Sequence, residues 1–346
     1  FISPEGHALF DVNDFDETLS NVDVTIDLRR FATSVVIAAL GAGNNEQDAR
    51  AVARAALKAY RRAVHDLARL SPLQAWNTRV PLRDVVSRLR NRVLHQAVRA
   101  VASARRSDDD FADNFPKVAR DGAGERRIED KPPRLFHLDG AMADQFDVDG
   151  LIAAAFANLP PHVASLLHRY RLSDLAFKAV GVGSVGTYCT IALFISPDDE
   201  PLFLQVKEAK RSVLERFGLG AWTGAPGERV VAGQRMMQAA SDIFLAPMLD
   251  PASKKEFYMR QLKTRRLSGL TELLQNHDLL NYAKLCGRTL ARAHARSADA
   301  MILAGYMGKS DAFDDALASF AMLYARQNAK DYEAFCARLG ATPTLP

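Results

Sequence analysis

AVGVGSVGTYCTIALFISPDDEPLFLQVK, residues 179–207, is the stretch whose reading decides the fold. It places Gly181, Gly183 and Gly186 in Gly-x-Gly-x-x-Gly order ahead of two apolar runs, the second ending on Lys207. A glycine triplet alone fits many turns. In a dinucleotide-binding unit the loop must open a helix, whose N-terminus meets the pyrophosphate. Residues 187–195, TYCTIALFI, are instead β-branched and aromatic, with no helix cap and no helical apolar stripe. Pro197, Asp198, Asp199 and Glu200 make a turn, and PLFLQVK is a second short strand. The spacing predicts a strand–loop–strand hairpin that delivers a lysine from the next strand.

That arrangement has the form of the nucleotide clamp of protein kinases, where glycine backbone covers the phosphates and a strand lysine neutralises them. Gly181, Gly183, Ser184 and Gly186 are then the phosphate cover. A lone lysine at a strand end is commonly a solvated charge. Lys207 follows the glycine hairpin at clamp spacing, with Leu204 and Val206 alternating around Gln205, and reads as the phosphate-binding cation. A kinase lysine is held by a carboxylate from the following helix. Glu228, opening GERVVAGQRMMQAA, is the expected partner, although glutamate also suits a helix N-terminus without one. Glu208 competes less well, because alternation points it away from Lys207. FYMRQL then resembles the segment linking kinase lobes, offering groups to an adenine ring around Met259, Arg260 and Gln261. An ordinary core strand is the plainer reading of those residues.

Composition bounds the alternatives. With 346 residues the chain can form two domains or one two-lobed unit. Hydrophobic residues make up 48% and charged residues 25%, as in ordinary globular proteins. A net charge of +4 from 45 basic and 41 acidic residues argues against a nucleic-acid partner or a strongly membrane-attracted surface. Cys189, Cys286 and Cys336 are scattered, odd in number and without metal-ligand spacing, which suits a reducing, cytoplasmic compartment. No apolar run approaches the ~20 residues of a membrane helix. The chain begins at Phe1 with no signal-peptide pattern and reads as a fragment or a trimmed chain.

Along the chain, residues 1–20 read as a strand pair and a loop. Residues 26–106 are helical in pattern, with Gly41 and Gly43 as stops, Asn44 or Asn45 as a cap, and Pro72 and Pro81 in first turns. The helix after Pro81 puts Val85, Leu89 and Val93 on one face. Residues 107–148 look like a long irregular connection. Two short helices around Pro160 and Pro161 lead into the hairpin. Beyond it, 228–240 is helical, 244–249 and 257–262 are strands, and 282–296 and 311–339 are helices.

The run at 10–17, FDVNDFDE, concentrates carboxylates after a strand. An acidic surface turn is the common explanation. Mg²⁺ bound with nucleotide, however, needs only one or two carboxylates plus phosphate oxygens. Asp14-Phe15 has the form of the kinase Asp-Phe-Gly element, with Asp16 in the place of the glycine. Asp14 and Asp16 are the candidate metal ligands. Asp27-Leu28 opens a helix much as an Asp-Leu-Ala segment does in aminoglycoside phosphotransferases. His294, late on a helix, reads as structural. The arginines of 79–106 read as solvated helix faces. No Gly-x-Ser-x-Gly, His-Glu-x-x-His or paired-cysteine motif is present.

FISPEGHALFDVNDFDET, IDLRRFATSVV, VGVGSVGT, LFLQVKEA, GERVVAGQRMMQAASD, FYMRQL and LARAHARSAD together resemble the bacterial family called domain of unknown function 2252. The likeness spans nearly the whole chain, in the family's order. The family's motifs look like those of protein kinases and aminoglycoside phosphotransferases in circularly permuted order, since Asp14 precedes the clamp by nearly half the chain. Surface termini make such permutation tolerable. The resemblance implies an α+β, protein-kinase-like two-lobed fold. Its small β-rich lobe would span 170–262, and 1–169 and 263–346 would build a large helical lobe. It also implies an ATP- and Mg²⁺-dependent phosphotransferase acting on an unknown small-molecule or protein hydroxyl, with Lys207 and Asp14 as its catalytic pair. Family members carry a Gly-Asp-x-His-x-x-Asn-Phe stretch resembling the phosphotransferase catalytic loop just before the segment where Phe1 stands. Residues 1–346 contain no such stretch, so little or no transfer by this chain alone is expected. A nucleotide-binding pseudokinase module and a nucleotidyl (AMP) transferase are the alternatives.

Overall fold

Residues that are apolar on both faces form strands only inside a covered sheet, and that is where the decisive stretch lies. A computed structural model describes residues 7, 9–82, 116–120, 122, 124–137, 147–179, 186–262 and 276–341. In chain order they form helices α1 (Val24–Gly41), α2 (Glu46–Leu67) and α3 (Pro72–Trp76), then strands β1 (Val118–Arg120), β2 (Arg126–Ile128) and β3 (Leu135–Phe136). Helices α4 (Val148–Asn158) and α5 (Pro161–Leu167) precede strands β4 (Arg171–Lys178), β5 (Cys189–Ile195) and β6 (Pro201–Glu208). Then come α6 (Val213–Arg216), α7 (Pro226–Met237), β7 (Ala246–Leu249) and β8 (Glu256–Gln261). Helices α8 (Asn276–Ser297), α9 (Ala300–Met307) and α10 (Ala312–Leu339) complete the chain. The fold is mixed α+β.

Six strands make one antiparallel sheet in the order β3-β4-β5-β6-β8-β7. Every residue of β5 is buried. Alternation along β6 divides its side chains between two apolar clusters. Leu202, Leu204 and Val206 pack with Phe194, Phe257, Met259 and the residues of α4 and α5, whereas Phe203 joins Ile191, Leu193 and Ala176 on the opposite face. Gln205 and Lys207 share the Phe203 face. The turn after β5 is closed by Ser196 N–H donating to Glu200 O (3.0 Å), with Asp199 at φ 63°.

The helices share a third cluster, drawn from both ends of the chain: Leu28, Val36, Leu57 and Tyr60 meet Leu279, Ala283, Ala291 and Leu317. Asp23 caps α1 by accepting from Thr25 N–H (2.8 Å), and Asn45 caps α2 by accepting from Asp48 N–H (2.9 Å). Helices α2 and α8 touch backbone to backbone at Gly287, where an added Cβ would lie 2.5 Å from Ala56 O. Buried Arg61 of α2 binds Asp314 and Asp311 at the start of α10.

Two expectations change. Residues 1–20 are not a strand pair among the described residues: Leu9 makes a single bridge to Pro81, and residues 10–19 are irregular. The carboxylates of Asp11, Asp16 and Glu17 bond to backbone and side chains of other elements, which replaces a ladder. The connection at 107–148 is not wholly irregular, because it contains β1, β2 and β3. Strands of two or three residues are too short to show a period. They are fixed by distant groups, Arg126 pairing with Asp199 (2.7 Å) and Ile128 N–H donating to Asp174 (2.7 Å). The helix expected after Pro81 lies outside the described residues beyond Leu82. No described helix is long and apolar enough to cross a membrane.

Candidate functional site

The acidic segment 11–18 crosses from the helical core to the sheet as a strap, tied down by polar groups of several elements. Asp11 is buried against Arg292 of α8, and its second oxygen accepts from Ala239 N–H (2.8 Å). Val12 O accepts from Gln238 (2.9 Å). Phe15 is buried among Ala209, Val230, Val231, Leu245 and Tyr258, which anchors the middle of the strap between α7 and the sheet. Arg229 of α7, itself buried, donates to Asp16 O (2.7 Å), to Lys210 O (2.8 Å) and to Thr18 O. Glu17 accepts from Ser212 Oγ (3.0 Å) and Val213 N–H (2.6 Å), and so caps α6.

Two glycines of α7 permit this approach. A Cβ on Gly227 would sit 2.4 Å from Phe257 O, and one on Gly233 would sit 2.3 Å from the Thr18 side chain. The helix therefore lies tight against β8 on one side and the strap on the other.

At the centre stands Lys207. On β6 it is the register partner of both Cys189 and Tyr258, so these three side chains lie side by side on one face. Its ammonium pairs with one oxygen of Asp16, and the Tyr258 hydroxyl donates to the other (2.7 Å). Burial alone would raise the Asp16 carboxyl, but the bonds from Lys207 and Tyr258 and the charges of Lys207 and Arg260 hold it below the usual carboxylate range. Burial raises both the Tyr258 hydroxyl and the Cys189 thiol above their ordinary values, so both stay protonated at neutral pH. Arg260 donates to Gln205 (3.1 Å), whose amide in turn reaches Cys189 Sγ (3.2 Å).

The descending end of the glycine loop is fixed to the end of β6. Gly186 sits at φ 75°, where glycine alone is unstrained, and its carbonyl accepts from Lys210 Nζ (2.6 Å). Tyr188 N–H donates to Glu208 (3.0 Å). Gly181, Gly183 and Ser184 lie outside the described residues.

Lys207 does not pair with Glu228. That carboxylate turns back to the N-terminus of its own helix, where it accepts from Ala225 N–H (3.3 Å). A glutamate at the third helical position is ideally placed for this local bond, and Asp16 fills the vacancy beside the lysine. Met259 directs its side chain into the apolar cluster on the face opposite Lys207. Gln261 donates its backbone N–H to Asp242. The residues that sequence reasoning missed are Tyr258 and Arg229. The first becomes legible only with the β6–β8 register, and the second is an arginine inside an ordinary helical pattern.

Asp14 differs from every other carboxylate of the strap. It is exposed, it holds the left-handed region at φ 69°, and it has no hydrogen-bond partner among the described residues. Aspartate is one of the few residues that tolerates that region. No group of three or more His, Cys, Asp or Glu among the described residues could hold a metal alone. His294 is buried and structural in its contacts: Nδ1 lies 2.8 Å from the Tyr60 hydroxyl and Nε2 lies 3.2 Å from Asp27, tying α8 to α2 and α1.

A sheet lysine charge-paired to Asp16 of the strap, two residues from the exposed Asp14, forms a charged site where sheet and strap meet. The chain belongs to the family described as an uncharacterized protein conserved in bacteria (DUF2252), whose model matches residues 1–338. No curated protein and no solved structure matches it.

Proposed function

We propose that the charged site around Lys207 binds ATP with Mg²⁺ and serves phosphoryl transfer to a hydroxyl of a small molecule or protein, on a kinase-like fold in permuted order. The observation that carries this reading is the Lys207–Asp16 pair, which brings the strand lysine and the acidic strap into one place although they lie 191 positions apart. The order of parts within 171–261 agrees with it: a hairpin around a glycine loop, a lysine on the next strand, a helix, then two closing strands. Gly181, Gly183, Ser184 and Gly186 cover the phosphates and Lys207 neutralises them.

The residues present fit Mg²⁺ delivered with its nucleotide. Asp14 offers one carboxylate without a partner among the described residues, and such an ion keeps most of its shell as phosphate oxygens and water. The ion would supply charge neutralisation at the phosphates. In the transfer itself an acceptor oxygen bonds to the γ-phosphorus, the bond to the bridging oxygen breaks and ADP leaves, the acceptor proton passing to water or to a base. This chain's part is positioning and charge, which is most of what phosphoryl transfer asks of a protein.

Thermal unfolding with and without millimolar MgATP tests the reading. A ligand at 100 times its Kd stabilises the native state by about 2.7 kcal/mol. The expected result is a raised midpoint for the wild type that Lys207→Ala and Asp14→Ala each diminish. No shift in the wild type contradicts the reading. Labelled ATP then separates three outcomes on the same fold: label leaving with the γ-phosphate, label transferred as AMP, or binding without turnover.

A further inference from the structure

We propose that Asp16 is the positioning residue for Lys207, taking the part expected of a carboxylate on the following helix, and that it is not a metal ligand. The proposal rests on the nucleotide reading of the Lys207 site. Both oxygens of Asp16 are already committed, one to the Lys207 ammonium and the other to the Tyr258 hydroxyl. Its backbone is held as well, through the carbonyl bond from Arg229. A carboxylate gripped at three points is fixed in place, and a dication brought to it would meet the ammonium at the same oxygen. Asp14 has the opposite character, exposed and without a partner among the described residues.

Residue 228, at the head of α7, cannot do this work because its side chain is folded onto its own helix terminus. The lysine is thus oriented by the loop that also carries Asp14. Phe15, between the two carboxylates, is locked in an apolar cluster with Tyr258. One rigid segment therefore sets both the phosphate-binding cation and the Asp14 carboxylate. Movement of the strap changes the two together.

The test uses the full chain with Asp16→Asn, Tyr258→Phe, Asp14→Asn and Lys207→Ala. Calorimetry follows ATP binding in Mg²⁺ and again in EDTA, and mass spectrometry follows acylation of Lys207 by an amine-reactive reagent. Loss of a charge-assisted hydrogen bond predicts about ten-fold weaker ATP binding for Asp16→Asn, in Mg²⁺ and in EDTA alike. Tyr258→Phe, which removes one hydroxyl and keeps the ring, is expected to weaken binding by roughly three-fold in both conditions. Asp14→Asn is expected to act only in Mg²⁺. Lys207 should acylate faster in Asp16→Asn, because its amine is no longer held in the ion pair with Asp16. An Asp16→Asn effect confined to Mg²⁺ would make Asp16 a metal ligand and overturn the proposal. Unchanged ATP affinity in Asp16→Asn, with binding still lost in Lys207→Ala, overturns the proposal alone and leaves the nucleotide reading standing. A wild type that does not bind ATP overturns both.

Discussion

Asp11, Asp14, Asp16 and Glu17 follow one another closely in sequence and have four different environments. Asp11 is the buried partner of Arg292, Asp14 has no partner among the described residues, Asp16 is clamped by Lys207 and Tyr258, and Glu17 caps a helix. Sequence shows the concentration of charge and cannot divide the roles, because each role comes from a group far along the chain. The Asp-Phe context singled out Asp14 as a candidate, and its exposure was not readable from sequence. The use of Asp16 was not readable either, since nothing local distinguishes a lysine anchor from a second ligand. A separate residue carries a pH prediction. His137 lies between Asp130 (2.7 Å) and Asp174 (3.0 Å), where it ties β3 to β4. Burial alone would lower its pKa, but the two carboxylates raise it overall. A raised folded-state value means stability fully present below the unfolded value of about 6.5 and lost as pH rises through the folded value. Solvent screening at this partly exposed site keeps the contribution under about 1 kcal/mol. Urea unfolding of wild type and His137→Asn should differ at pH 5.5 and converge by pH 8.5. An equal difference at both pH values counts against the ion pair.

At the scale of elements, β5 and β6 were legible because their apolar residues are β-branched or aromatic and interrupted by a clear turn. Helices α1, α2, α8 and α10 were legible from caps and periodic apolar positions. Strands β1 to β3 were hidden by their shortness, and the strap was hidden because its bonds are tertiary. Helix α7 was found and its glutamate misassigned, since the third position of a helix serves a local cap as readily as a distant lysine. Two glycines separate site geometry from general packing. Gly227→Ala forces α7 away from the Phe257 carbonyl, and Gly287→Ala forces α8 away from the Ala56 carbonyl. Overpacking of this kind costs roughly 1–3 kcal/mol at each position. Urea unfolding should show both losses. Only Gly227→Ala should also reduce the MgATP-induced thermal shift, because it displaces Arg229 and the strap that Arg229 holds. Equal shifts in both variants would detach α7 from the site.

The whole molecule is organised by the meeting of its ends. Helices from the first fifth of the chain and from its last fifth share one apolar core, and the acidic strap leaves that core to reach a sheet built from the middle. The mixed α+β class and this convergence were both implied by the family resemblance, and periodicity contributed the individual helices and strands. The proposed phosphotransferase function depends on the convergence being a nucleotide site with Lys207 at the phosphates. An ATP derivative bearing a reactive acyl group on its γ-phosphate transfers that group to a lysine held against the phosphates, and peptide mapping identifies which one. The account predicts modification of Lys207, suppressed by excess ATP and reduced in Gly227→Ala. An unmodified Lys207, or one labelled equally with and without excess ATP, would contradict it.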